Sequence, residues 1–368
     1  MTAPERPPLL DWPGAPTGSE GEEELARKLA EADGEADEAG TWPDRLWSIL
    51  VDAEAPRWTL PAEVGGMGCD RPGLVRRYGR AAEGSLTAAF LLTQHDAAVR
   101  RLVAAGDRGR AKRWVQEVAA GRAFATVGIS QLTTSRRHGA QALRAVEREA
   151  GRFRLSGVMP WVTGAARADV FVTGAALDDG RHLLIALPAD REGVTVRPPF
   201  ALAALQASCT SEVACEVAVE ADDVLAGPAL DVMANPSAAG TGGLETSALA
   251  LGQARAALLA LHGLVEGRDD LNEPLCALAE SWWQTAAELM AAAEGRPDAP
   301  EPGMIRARAN ALVLAATQAF LTASKGTGFL KSEPAQRWAR QALFFLVWSC
   351  PAPVARASMR DLAGLCEL

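Results

Sequence analysis

The reactive side chains of this chain are few, and their spacing rules out several chemistries at once. Four histidines, His95, His138, His182 and His262, lie far apart, and no HxxxH or HxxE spacing offers a zinc site, so no metal is expected. No GxxxxGK[ST] or GxSxG stretch occurs, which argues against a P-loop and against a hydrolase nucleophile elbow. Six cysteines, Cys69, Cys209, Cys215, Cys276, Cys350 and Cys366, form no CxxC pair and read as reduced thiols of a cytoplasmic protein. Ser349 and Cys350 close the apolar stretch RQALFFLVWSCP (340–351). A serine hydroxyl is no general base near neutral pH without an activating group. Cys350 precedes Pro351 at what reads as a helix C-terminus, where the dipole disfavours a thiolate. Both read as structural.

The other groups of interest are hydroxyls, a tryptophan, an arginine, two glycines and one carboxylate. SQLTTSRR (130–137) concentrates hydrogen-bonding side chains, as a solvated turn does. Trp161 and Thr163 sit in WVTG, where a strand tryptophan ordinarily brings apolar area to a core. Arg268, in EGRDDLNEP (266–274), has the fork that suits phosphate, or is a surface arginine. Gly326 and Gly328, in TASKGTG (322–328), fit a helix C-cap and turn. Glu245 opens GGLETSALALG (242–252) beside Thr246 and Ser247, a first-turn carboxylate that suits a helix dipole.

These residues need elements to position them. Residues 1–122 read as a helical domain. GSEGEEELARKLAEADGEADEAG (18–40) has Ser19 as N-cap and acids in its first turn, and residues 43–121 carry apolar positions at i, i+3 and i+4. Residues 123–232 change texture to short β-branched runs between frequent turns, with period-two alternation in EVACEVAVE. That pattern predicts an antiparallel barrel or sandwich. Residues 233–368 return to four long apolar-rich segments, the pattern of a four-helix bundle. The class is α+β, with strands segregated to the middle.

Bulk properties narrow the partners. With 37 basic and 46 acidic residues the net charge is −9, which argues against a duplex nucleic-acid binder. No long apolar run free of charge predicts a membrane span, and the first residues carry no secretory apolar stretch.

Stretches in order along most of the chain resemble the acyl-CoA dehydrogenase family. LPAEVGGMG (60–68) resembles the family's turn after the first helices, and GRFRLSGVMPWVTGAARADVFV (151–172) its first β hairpin. DDVLAG (222–227) resembles the way out of its β domain, and GTGFLKSEPAQRWARQA (326–342) its last helices. The resemblance implies FAD, dehydrogenation of an acyl thioester by base removal of the α-proton with hydride transfer to flavin, and a homodimer or homotetramer. It implies an electron-transfer flavoprotein or a flavin reductase as partner. By position it makes Ser130, Trp161 and Thr163 flavin contacts, Arg268 a contact to the partner subunit's FAD pyrophosphate, and Gly326 and Gly328 cofactor-binding positions. The usual catalytic glutamate falls on Ser349, so the base is expected on an earlier helix, at Glu245, seven residues before Gly252. Gln131 replaces a family acid, and Thr134, Ser135 and Arg136 replace a GSD element. The family's CoA-arm arginine beside the base is Thr246 here. These departures open two alternatives: a monooxygenase or oxidase of the same fold acting on a small molecule, or a non-catalytic member that has lost flavin.

Overall fold

The computed structural model describes residues 10–14, 20–132, 142–233, 243–348, 350 and 352–364. Five helices come first: α1 (Glu20–Ala39), α2 (Asp44–Asp52), α3 (Arg71–Gly84), α4 (Leu86–Ala104) and α5 (Ala111–Ala119). Ser19, the expected N-cap of α1, lies outside the described residues. Real caps are found at α3, where Asp70 accepts from the Gly73 N–H at 2.9 Å, and at α4, where Ser85 accepts from Ala88 N–H at 3.2 Å.

The middle region is one sheet of β1 (Ala125–Gly128), β2 (Leu143–Glu149), β3 (Arg152–Val162), β4 (Val170–Ala176), β5 (His182–Pro188), β6 (Val194–Val196), β7 (Ser211–Val219) and β8 (Val224–Ala229). The strand order is β6-β7-β3-β2-β4-β5-β8, mostly antiparallel as expected. The exceptions are β1, which runs parallel to β4 off this path, and a single parallel bridge between β2 and β4. In β7 burial alternates along the strand, so Val213, Cys215, Val217 and Val219 face the core on one side of the sheet. β4 is buried along its whole length and carries no alternation.

The C-terminal helices are α6 (Leu244–His262), α7 (Asn272–Ala293), α8 (Pro302–Ser324), α9 (Pro334–Ala342) and α10 (Ala352–Leu362). One apolar core joins α6–α9 to α1–α4. α6 and α3 touch backbone to backbone: a Cβ on Gly252 would stand 2.0 Å from the Gly79 carbonyl. Gly252 therefore has a packing role whatever the chemistry of the helix.

The fourth bundle segment departs from expectation. The apolar pattern of RQALFFLVWSCP predicts a core helix running on to Pro351. Instead α9 stops at Ala342, and a 3₁₀ turn covers Leu343–Leu346. Two side chains of α8 capture its carbonyls. Asn310 Nδ2 donates to Phe345 O at 3.0 Å, and Arg306 Nη2 to Trp348 O at 3.1 Å. These two bonds tie the segment after α9 to α8. Leu343 and Val347 then lie exposed rather than in a core. Ser349 and Pro351 lie outside the described residues. Cys350 precedes a helix instead of ending one, and burial, not a dipole, raises its pKa.

Candidate functional site

A cavity of about 590 Å³ opens between the sheet and the helices. Its sheet-side wall is built at the ends of β1 and β3. β1 approaches β3 closely because position 128 is glycine; a Cβ there would meet Met159 Sδ at 2.8 Å. Ser130 follows directly and lines the cavity. The turn carrying it is braced by Gln131, whose Nε2 donates to Gly128 O at 2.9 Å and Gly174 O at 2.7 Å. Gln131 thus points into the sheet.

β3 keeps one register with β7 as far as Met159, and pairing resumes at Val162 shifted by one residue. Pro160 supplies no N–H in that gap. Trp161 emerges there 51% exposed, its ring 4.7 Å from that of Phe200. Thr163 is buried on the same wall, and its carbonyl accepts from Thr126 Oγ1 at 2.8 Å. Its hydroxyl lies 3.3 Å from that of Thr210, which lies 2.9 Å from that of Ser208. The structure therefore brings Ser130, Trp161 and Thr163 to one cavity.

The helical wall comes from α4 and from the segment after α9. Phe90 and Gln94 stand four residues apart on α4, on one face. Phe344 and Trp348 stack at 5.1 Å and 11°, and both meet Phe90 edge-on at 4.9 Å. Arg340 is the charged residue of the lining, and its nitrogens are committed. Nε donates to Gln336 Oε1 at 2.9 Å, Nη1 to Ala203 O at 3.0 Å and Nη2 to Asp37 Oδ2 at 2.8 Å. It pins the loop at Ala203, another part of the wall, to α1 and α9. No carboxylate, histidine or cysteine lines the cavity among the described residues.

Sequence reasoning missed this wall. Phe90 and Gln94 lie in a helix buried almost all round, where periodicity marks no special face. The one available signal was a glutamine within AAFLLTQHDAAV.

Glu245 is elsewhere. It pairs with Arg100 at 3.3 Å, each side chain 15% exposed, and no residue of α6 lines the cavity. Close by, Tyr78 OH donates to Asp96 Oδ2, and Thr59 Oγ1 donates to Asp96 Oδ1 at 3.3 Å. Burial pushes the Asp96 carboxyl up to about 7, partly offset by the Tyr78 hydrogen bond and the Arg100 charge. Burial pushes His95 down to about 4, so it is neutral at pH 7. It stacks on Phe124 at 5.4 Å, and its Nδ1 lies 3.0 Å from Ala125 O, a packed structural residue.

Arg268 and the 326–328 turn share a third location. Arg268 Nη1 donates to Ala323 O at 3.1 Å, and its other nitrogens hold Asp270. Ala323 lies about 25 Å along α8 from Arg306, the residue that holds Trp348. Gly328 is required by packing, since a Cβ would meet Ser324 Cβ at 2.5 Å; Gly326 has open space around it. Thr134, Ser135 and Arg136 lie outside the described residues. Among the described residues, no group of three or more His, Cys, Asp or Glu side chains could hold a metal ion, and no helix is long and apolar enough to cross a membrane.

Residues 20–122 match the family described as acyl-CoA dehydrogenase, N-terminal domain. No curated protein sequence matches the chain. Solved structures match it over nearly its whole length at low identity. A glutaryl-CoA dehydrogenase from Mycobacterium smegmatis in complex with FADH2 is 19% identical with a TM-score of 0.75, over 95% of this chain and 95% of that one. Butyryl-CoA dehydrogenase from Megasphaera elsdenii is 17% identical with a TM-score of 0.75, over 95% and 99%. A nitrososynthase from Micromonospora carbonacea var. africana is 20% identical with a TM-score of 0.73, over 98% and 99%. Such identities speak for the fold, which these proteins share. Residues 20–122 thus match the acyl-CoA dehydrogenase N-terminal domain, and the chain as a whole has the acyl-CoA dehydrogenase-like fold.

Proposed function

We propose that this protein is an FAD-dependent oxidoreductase that oxidises or oxygenates a small uncharged molecule without removing an α-proton by a carboxylate base. One observation carries the reading. The cavity that gathers Ser130, Trp161 and Thr163 is lined by no carboxylate among the described residues, while Glu245 is held by Arg100 outside it. The fold accommodates either chemistry, since similar structures include an acyl-CoA dehydrogenase and a nitrososynthase.

The residues present fit a flavin ring on the sheet-side wall. Bound FAD would supply two-electron redox chemistry. The hydroxyls of Ser130 and Thr163 would hold the polar edge of the ring, and Trp161 would flank it. Arg340, through its bond to Ala203 O, keeps the facing loop in place. Phe90, Phe344 and Trp348 would exclude water from the opposite side.

On this reading Arg268, Gly326 and Gly328 serve the phosphate end of a partner subunit's FAD in a homodimer or homotetramer. The electron-donating partner is then a flavin reductase, not an electron-transfer flavoprotein, and the protein works in the cytoplasm. Dehydrogenation of an acyl thioester with Glu245 as base would need the Arg100 pair broken and the first turn of α6 brought into the cavity.

Titration of the full chain with FAD tests the cofactor. Saturable uptake is expected, with Thr163→Val weakening it about tenfold through lost hydrogen bonds. A chain that takes up no FAD would overturn the reading. Oxygen consumption with NADH and a flavin reductase, stimulated by small-molecule substrate, tests the reaction class.

A further inference from the structure

Gln94 is 8% exposed, and among the described residues its amide has no hydrogen-bond partner, although it lines the cavity. Its amide is open to the cavity rather than sealed in protein, so a ligand that displaces water there must supply a partner or leave it unsatisfied. Phe90, Phe344 and Trp348, which surround the cavity on the same wall, provide none; they offer ring faces and edges. Arg340, the charged residue of the lining, is matched by Asp37 at 2.8 Å. The hydroxyls of Thr163 and Thr210 on the sheet side are turned toward one another.

We propose that the helical wall binds a neutral, flat, largely aromatic substrate, and that Gln94 selects and orients it through one hydrogen-bonding group. The assignment of this wall to substrate rests on the reading that flavin takes the opposite wall. An amide carries both donors and an acceptor, so it can read a carbonyl, a hydroxyl or a ring nitrogen. A carboxylate placed there would be desolvated among aromatic rings, and the cation of the lining, Arg340, is already paired. Specificity of this kind excludes by leaving the wrong ligand, or Gln94 itself, unpaired.

Three probes with one ring system separate these effects: 2-naphthamide, 2-methylnaphthalene and 2-naphthoate. Their binding to the full chain is measured by calorimetry, with and without saturating FAD, for the parent, Gln94→Leu and Phe344→Ala. The amide is expected to bind the parent roughly five- to tenfold tighter than the methyl compound, and the carboxylate at least about tenfold weaker than the amide. Gln94→Leu should erase the amide's advantage and leave 2-methylnaphthalene within about twofold of its parent value. Phe344→Ala should weaken the amide and methyl probes together while keeping the amide's advantage.

An amide advantage that survives Gln94→Leu, an absent advantage in the parent, or tightest binding of 2-naphthoate would each overturn the proposal. Failure of the flavin reading would show separately, as absent FAD uptake, while the probe pattern without FAD would still judge Gln94. Thermal melts establish that both variants fold. Phe344→Ala serves as the second variant should Gln94→Leu fail to do so, since its retained amide preference is a distinct expected result.

Discussion

Gln94 and Asp96 stand two residues apart on α4, about 200° around the helix, and face opposite surroundings. Gln94 presents a neutral amide to the cavity. Asp96 presents a carboxyl to a buried cluster with Tyr78, Thr59, Arg100 and, through Arg100, Glu245. One helix thus separates two environments. The acidic side chains bind α3, α4 and α6 together, and the cavity is left to aromatic rings, hydroxyls and an amide. Glu245, the carboxylate expected as base, pairs with Arg100 outside the cavity.

The widest contrast should come from Asp96→Ala. It leaves the Tyr78 hydroxyl and the Arg100 guanidinium facing a buried gap, so urea unfolding should show a loss on the order of 3–5 kcal/mol. The same change made at Gln94 should cost under about 1 kcal/mol, because no protein group loses a partner there.

The pH response of Asp96 is the next effect. Its folded pKa of about 7 lies above the unfolded carboxyl value, so the folded state holds a proton that the unfolded state has released. The unfolded state binds fewer protons between about pH 4 and 7, so stability should fall as pH rises through that window and level off above it. Asp96→Asn should flatten this part of the stability profile. A profile that keeps its slope in the variant would place the titrating group elsewhere.

Glu245→Gln comes third. Loss of the half-buried pair with Arg100 should lower stability by about 1–2 kcal/mol while FAD uptake and probe binding stay as in the parent. The smallest effect is expected from Gln94→Leu on stability, within about 1 kcal/mol of the parent in either direction, despite its effect on ligand choice.

The difference between the two cavity walls also explains what could be read in advance. The α, β, α block order follows from local periodicity, and strand alternation fixes facing, so Ser130, Trp161 and Thr163 were legible as a group. The helical wall was not. Phe90 and Gln94 belong to a helix buried on most sides, where an apolar pattern cannot distinguish core from cavity. Phe344 and Trp348 looked like the continuation of α9. That segment is instead held against α8 by Asn310 and Arg306, 35 and 42 residues away from the carbonyls they bind. Glu245 was visible as a first-turn carboxylate, but its use depends on Arg100, a partner distant in sequence and adjacent only in the fold. Local signals carried the elements; long-range hydrogen bonds decided which side chains meet.

The most direct measurement is anaerobic mixing of the FAD-loaded protein with butyryl-CoA and longer saturated acyl-CoAs while visible flavin absorbance is followed. Unchanged absorbance in the parent and in Glu245→Gln alike is the expected result. Rapid bleaching in the parent that is lost in Glu245→Gln would contradict it and return Glu245 to the role of base.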